Sequence, residues 1–152
     1  MSPGVYLHLP FCTSRCCYCG FYSGEEPSRR GELVGRLGGE MELRRADLSG
    51  PVGSVYLGGG TPSLLAPEQV RQLLGGVRRT WGLEHDAEIT LEANPGDSLP
   101  LEEFLDAGVT RLSVGVQSLD DDTLLLLGRR HTADQARVLL GEAQAAGFSR
   151  LS

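Results

Sequence analysis

Apolar residues along the chain follow two alternating patterns, one typical of strands and one typical of helices. Short stretches that alternate apolar and polar residues, or are mostly apolar, predict strands at residues 5–9, 52–57, 87–93 and 111–117. In the first stretch Tyr6 and His8 alternate with leucine and valine, so the two rings are expected to share one face of the strand. Residues 148–152 resemble the beginning of a fifth strand.

Helical spacing of apolar residues fills the segments between these strands. It predicts helices at about residues 28–47, from residue 67 onward, and at residues 100–107, 120–127 and 133–146. Pro67 suits the first turn of its helix, where a missing N–H group costs nothing. In the first helix Gly35, Gly38 and Gly39 weaken the helical pattern.

The order strand, loop, helix recurs four times, which predicts an α/β fold with a parallel sheet. A doubly wound sheet and a (β/α) barrel both fit this order. The barrel is favoured because the unusual residues lie at or just after the carboxyl ends of strands, where (β/α) barrels build their sites. Four strands and the start of a fifth cannot close a barrel, so we expect a partial (β/α) barrel. Residues 1–152 are then the N-terminal part of a core domain, without the rest of the barrel and a C-terminal domain.

Composition and charge narrow the class of protein. The chain has 152 residues, of which 40% are hydrophobic and 22% charged, and no apolar run approaches the roughly 20 residues that span a bilayer. The start of the chain lacks the pattern of a secretory signal, so a cytoplasmic protein is expected. A net charge of -6 argues against a broad nucleic-acid surface. The sequence has no lysine, which excludes a catalytic lysine within it.

Four cysteines lie within eight residues, and three of them, Cys12, Cys16 and Cys19, have the spacing C-x3-C-x2-C. A disulfide here would close only a very small loop, and cytosolic thiols are normally reduced. Three thiolates can bind three irons of a [4Fe–4S] cluster and leave the fourth iron open to a small molecule. The alternative is a structural zinc site, which would need Cys17 or a distant histidine as a fourth ligand. Because Cys17 directly follows Cys16, its side chain is expected to point elsewhere, and the cluster is preferred.

Four further motifs appear in order along most of the chain. They are residues 6–12 (YLHLPFC), 58–63 (GGGTPS), 92–96 (EANPG) and 111–118 (RLSVGVQS). With the cysteine loop, they make the chain resemble the radical SAM superfamily, and within it the branch of HemW-like haem chaperones and oxygen-independent coproporphyrinogen III oxidases. The likeness extends from residue 5 to residue 131.

This resemblance implies a [4Fe–4S] cluster on Cys12, Cys16 and Cys19, with S-adenosyl-L-methionine bound at the open iron and cleaved reductively to a 5′-deoxyadenosyl radical. The residues that it implies as cofactor contacts are Tyr6, Tyr18, Gly59, Gly60, Thr61, Glu92, Gln117 and Arg129. The glycines would let the backbone approach the amino-acid end of the cofactor, because they have no Cβ atom.

Simpler alternatives remain open at several of these positions. Tyr6 could be a barrel-core aromatic residue, Glu92 a solvated charge at the end of a strand, and Arg129 a cation at the end of a helix. The GGG stretch could be a plain loop. His8 and His131 are expected to be packed or exposed histidines rather than ligands, and no catalytic residue is assigned.

Two functions fit the resemblance. One is a haem chaperone that binds haem and delivers it to a recipient haemoprotein, and the other is an oxygen-independent coproporphyrinogen III dehydrogenase acting on a porphyrinogen. The dehydrogenase pattern has a further cysteine where this chain has Phe21, and it tends to have aspartate where this chain has Asn94, so the chaperone is favoured. Cys17 departs from the chaperone pattern, which usually has proline there. An electron donor is a further implied partner, and a third possibility is that the chain is inactive alone.

Overall fold

The predicted strands form one parallel sheet in the computed structural model, which describes residues 2–152 apart from the side chain of Pro27. The strands lie side by side in chain order: β1 (Gly4–Leu9), β2 (Val52–Gly59), β3 (Leu83–Ala93) and β4 (Arg111–Val114). Because all four are parallel, their carboxyl ends meet at one edge of the sheet.

Helices connect and cover these strands. They are α1 (Arg30–Leu43), α2 (Pro67–Thr80), α3 (Leu101–Ala107), α4 (Asp121–Leu126) and α5 (Ala133–Ala146). The first is shorter than predicted, because a 3-10 turn precedes it at Pro27–Arg29 and another follows at Arg45–Asp47. The Asp120 carboxylate caps α4 by accepting a hydrogen bond from the Thr123 N–H, and Gly147 ends α5 in the left-handed conformation.

The two faces of the sheet differ in chemistry. The face toward the helices is apolar and almost fully buried, and its residues include Leu7, Leu9, Val55, Leu57, Leu91 and Leu112. Burial of each such side chain stabilises the fold by about 1.5–3 kcal/mol. The opposite face bears polar and aromatic groups, and the register sets Tyr6, Tyr56, Thr90 and Arg111 in one row across it. This second face is the inner side of the partial barrel.

Two strand boundaries differ from the sequence prediction. Strand β3 begins at Leu83 rather than at residue 87, because Leu83 pairs with Val52 before an irregularity in the register. Strand β4 ends at Val114 rather than at residue 117. Beyond it the carbonyls of Gly115 and Val116 accept hydrogen bonds from Arg129 and His131, so the backbone leaves the sheet there.

The last residues of the chain lie beside β4, as predicted. Leu151 forms a parallel bridge with Leu112, and the N–H of Val114 donates to the carbonyl of Ser152 over 2.7 Å. This pairing is the start of a fifth parallel strand and confirms the expected partial (β/α) barrel. Within residues 2–152, no helix is both long and apolar enough to span a membrane.

Candidate functional site

A cavity of about 310 Å³ opens at the carboxyl ends of the strands. That volume is at the lower end of the range for small-molecule sites, about 300–1,000 Å³. Ten of the eleven residues predicted from the sequence line it: Cys12, Cys16, Tyr18, Cys19, Gly59, Gly60, Thr61, Glu92, Gln117 and Arg129. These residues come from the cysteine loop, from the ends of β2 and β3, and from the segments that follow β4 and α4.

The cysteine loop is closed at its base by backbone hydrogen bonds. The N–H of Cys12 donates to the carbonyl of Gly24 over 3.0 Å, and the N–H of Gly24 donates to the carbonyl of Pro10 over 2.7 Å. Within the loop the N–H of Cys19 donates to the carbonyl of Cys16, which forms a tight turn. The base therefore fixes where the loop leaves β1, while the turn brings two of the predicted ligands together.

Cys17 is separate from the other three cysteines. Its side chain is exposed, is not among the groups that line the cavity, and lies with its sulfur 3.6 Å from the carbonyl oxygen of Leu127. This position agrees with the prediction that the Cys17 thiol points away from the other three. The pKa of Cys12 is raised, chiefly by burial, while a hydrogen bond from Thr61 opposes the shift.

Glu92 is held in place by two donors. The Tyr56 hydroxyl donates to Oε1 over 2.8 Å, and the N–H of Gly59 donates to Oε2 over 2.9 Å. Burial and the carboxylate acceptor both raise the pKa of Tyr56, which keeps the phenol protonated as the donor. A carboxylate can accept about four hydrogen bonds, so Glu92 retains capacity for a cationic ligand in the cavity.

Arg129 makes contacts with three parts of the site. Its Nη2 donates to Asn94 Oδ1 over 2.7 Å and to the carbonyl of Gly115 over 2.8 Å. Its Nη1 lies 3.4 Å from the sulfur of Cys16 and 3.5 Å from the Tyr18 hydroxyl. In the part of the chain that the structure describes, its Nε is buried without a hydrogen-bond partner. This guanidinium places a fixed positive charge at the wall of the cavity.

The glycines at the end of β2 leave room for other atoms of this chain. A Cβ atom on Gly59 would lie 2.7 Å from the His8 ring, and one on Gly60 would lie 2.6 Å from the carbonyl oxygen of Phe11. Gly59 also has a φ of +123°, which disfavours other residues. The room left by the missing Cβ atoms is therefore occupied by β1 and its exit, while the N–H of Gly59 binds Glu92.

Replacing Gly60 by alanine is expected to lower the free energy of unfolding by about 1–3 kcal/mol, because backbone atoms block the new methyl group. Urea unfolding measures this change. The matched control is Gly35→Ala in α1, where a Cβ has no neighbour within 4 Å and the helix is expected to gain about 0.5–1 kcal/mol. Equal stability of the two variants would contradict the close approach at Gly60.

Tyr6 is the one predicted contact that does not line the cavity. It is 55% exposed, its ring stacks on Tyr56 at a centroid distance of 5.9 Å, and its hydroxyl lies 3.3 Å from His8 Nδ1. It is linked to the cavity indirectly, because it stacks on Tyr56, whose hydroxyl donates to Glu92 at the cavity wall. His8 Nε2 is 2.9 Å from the carbonyl oxygen of Tyr22, so this histidine joins β1 to the end of the cysteine loop.

Nine further residues that the sequence did not predict as contacts line the cavity, among them Asn94, Ser113 and Gly115. The register offers a signal for Ser113, since it pairs with Glu92 on the inner face. Asn94 lies within the EANPG motif, but only the fold brings it to Thr61 and Arg129. His131 is buried against the carbonyl of Val116, and burial lowers its pKa, so it is packed as expected.

The three cysteines at the cavity suit an iron–sulfur cluster better than a single metal ion. Among residues 2–152, no group of three or more His, Cys, Asp or Glu side chains is arranged to hold a single metal ion. A four-iron cluster makes a different demand, because each thiolate binds a separate iron. Three cysteines around one cavity have the chemistry that such a cluster requires.

Comparison with known proteins agrees with this architecture. The sequence model of the radical SAM superfamily matches residues 6–152. The haem chaperone HemW of Mycobacterium tuberculosis is 42% identical over 98% of this chain and 40% of its own length. The mitochondrial radical S-adenosyl methionine domain-containing protein 1 of Mus musculus is 44% identical over 97% of this chain and 34% of its own length.

A solved structure has the same fold. Coproporphyrinogen III oxidase (HemN) from Escherichia coli, described as a radical SAM enzyme, superposes with a TM-score of 0.87 at 28% identity. The match covers 99% of this chain and 36% of that protein. The chain thus spans about two fifths or less of each of these relatives. The resemblance found in the sequence is confirmed, and the chain belongs to the radical SAM superfamily.

Proposed function

We propose that this protein binds a [4Fe–4S] cluster and S-adenosylmethionine, and that it serves as a haem chaperone. The observation that carries the proposal is the convergence of three thiols, a carboxylate and a guanidinium on one cavity at the strand ends. Family membership supports the same pair of cofactors, because a radical SAM core is built around them.

Cys12, Cys16 and Cys19 would hold the cluster. Each lies partly buried at the cavity, and all three are free thiols. Three protein ligands leave one iron without a side-chain ligand, where a small molecule can bind. The positions of the thiols and the exposure of Cys17 both support a three-cysteine set.

Glu92 and Arg129 would orient S-adenosylmethionine. The carboxylate of Glu92, fixed by Tyr56 and Gly59, suits a cationic amino group. The guanidinium of Arg129, which lies at the cavity wall, suits a carboxylate. With both groups bound, a cluster reduced by an electron donor would supply one electron for the reductive cleavage of the cofactor's carbon–sulfur bond. The part of Glu92 and Arg129 is to bind and orient the cofactor.

The delivery of haem is favoured over porphyrinogen oxidation by local residues and by the relatives. Phe21 lines the cavity at the position where the dehydrogenase pattern has an additional cysteine. Relatives that match nearly the whole chain carry the name haem chaperone. The second candidate, a coproporphyrinogen III dehydrogenase, is supported by the likeness to HemN.

Anaerobic reconstitution with iron and sulfide, followed by three assays, tests these functions. The assays measure haem binding, release of 5′-deoxyadenosine and turnover of coproporphyrinogen III. Stable haem binding without decarboxylation of the porphyrinogen is the result expected for the chaperone. Efficient decarboxylation would overturn that assignment in favour of the dehydrogenase.

A further inference from the structure

Three side chains connect the sulfur of Cys16 to the sulfur of Cys12. Arg129 Nη1 lies 3.4 Å from the Cys16 sulfur, and Arg129 Nη2 donates to Asn94 Oδ1 over 2.7 Å. Asn94 Nδ2 then donates to Thr61 Oγ1 over 2.8 Å, and the Thr61 hydroxyl lies 3.9 Å from the Cys12 sulfur. We call Thr61, Asn94 and Arg129 the sulfur-linking triad.

The hydrogen bonds of this triad have a fixed direction. Arginine is only a donor, so the oxygen of the Asn94 amide must face Arg129 and its NH₂ group must face Thr61. The Thr61 oxygen then accepts from Asn94, which leaves its own proton to donate toward Cys12. Both ends of the triad therefore present a donor to a cysteine sulfur.

We propose that Asn94 is a positioning residue that directs two donors toward the ligand sulfurs of Cys12 and Cys16 and so raises the reduction potential of the cluster. This inference rests on the proposed function, since it needs a cluster on these cysteines. Donors to the sulfurs stabilise the reduced cluster, which has gained one electron and is the more negative of the two states. The first is the cationic Arg129, and the second is the Thr61 hydroxyl.

An aspartate at position 94 would reverse the direction of the hydrogen bond between residue 94 and Thr61. A carboxylate only accepts, so the Thr61 hydroxyl would turn toward residue 94 and would be lost to Cys12. The added negative charge would also oppose reduction of the cluster. Asn94→Asp thus combines two effects of the same sign, while Thr61→Val removes the donor to Cys12 without changing charge.

The test is a redox titration of the reconstituted full chain without S-adenosylmethionine, with dithionite as the one-electron reductant and the cluster followed by electron paramagnetic resonance. Relative to the wild-type protein, Thr61→Val and Asn94→Asp are expected to have a more negative midpoint potential, with the larger shift in Asn94→Asp. For Asn94→Asp the ratio of reduced to oxidised cluster at a fixed potential should fall about tenfold, which is about 59 mV for one electron. Thr61→Ser keeps the hydroxyl and should match the wild-type protein.

The outcomes separate this inference from the proposed function. If the wild-type protein forms no cluster, both fail. If the wild-type cluster forms and Thr61→Val has the wild-type midpoint potential, the inference that Thr61 donates to Cys12 is wrong. A shifted potential in Asn94→Asp would not rescue it, because the added charge alone can cause that shift. Should Asn94→Asp assemble no cluster, the comparison of Thr61→Val with Thr61→Ser decides the inference.

Discussion

Replacing Cys16 by alanine is expected to abolish the visible absorption of the reconstituted cluster, whereas replacing the adjacent Cys17 should leave it unchanged. Cys16 lies at the cavity with Arg129 beside its sulfur, while Cys17 is exposed and lies against the carbonyl of Leu127. A cluster with two protein ligands is not expected to persist, because each of the three thiolates binds its own iron. Absorption spectra and iron content of the two variants, prepared in parallel, measure the effect.

The pair of variants separates two ligand sets. A full cluster spectrum in Cys16→Ala would remove Cys16 from the ligands, and loss of the cluster in Cys17→Ala would add Cys17 to them. Loss of the cluster in both variants would point to four thiolate ligands and thus to a cluster without an open iron.

Replacing Glu92 by glutamine is expected to weaken S-adenosylmethionine binding about ten- to a hundredfold. The amide has no charge for a cationic amino group, and its NH₂ would face either the Gly59 N–H or the Tyr56 hydroxyl, both of which now donate. Hydrogen bonds to a charged group contribute about 1.5–3 kcal/mol, which corresponds to this range of affinities. Calorimetric titration of the reconstituted protein measures the affinity.

Glu88→Gln is the matched control for this experiment. Glu88 lies on β3 four residues before Glu92, pairs with Arg111 and Arg150, and does not line the cavity. The same loss of charge there should leave the affinity within a factor of about two. Equal losses in the two variants would indicate a general electrostatic effect, and unchanged binding in Glu92→Gln would remove Glu92 from the contacts.

Much of the fold follows from the sequence because its signals are local. Alternation of Tyr6 and His8 with Leu7 and Leu9 is enough to place β1 and its two faces, and the observed burial agrees with it. The repeated order of strand and helix implies the parallel sheet. The carboxyl end of β4 was harder to predict, because it depends on Arg129 and His131, which bind the carbonyls that follow it. The length of α1 was overestimated because 3-10 turns flank the helix at both ends.

The candidate site was predicted through its motifs, and its internal connections required the fold. No local pattern indicates that Asn94 would lie between Thr61 and Arg129, because 33 and 35 residues separate it from these partners. Nor does sequence show that the missing Cβ atoms of Gly59 and Gly60 make room for His8 and Phe11. Tyr6 illustrates the opposite case, since its motif is clear but its side chain lies outside the cavity.

In the proposed function, Cys12, Cys16 and Cys19 hold a four-iron cluster whose remaining iron binds S-adenosylmethionine. Electron paramagnetic resonance of the reduced, reconstituted protein, recorded before and after addition of S-adenosylmethionine, tests it most directly. We expect about four irons per chain and a changed spectrum once the cofactor binds at the open iron. A chain that binds zinc with four thiolates, or a cluster spectrum that S-adenosylmethionine leaves unaltered, would contradict it.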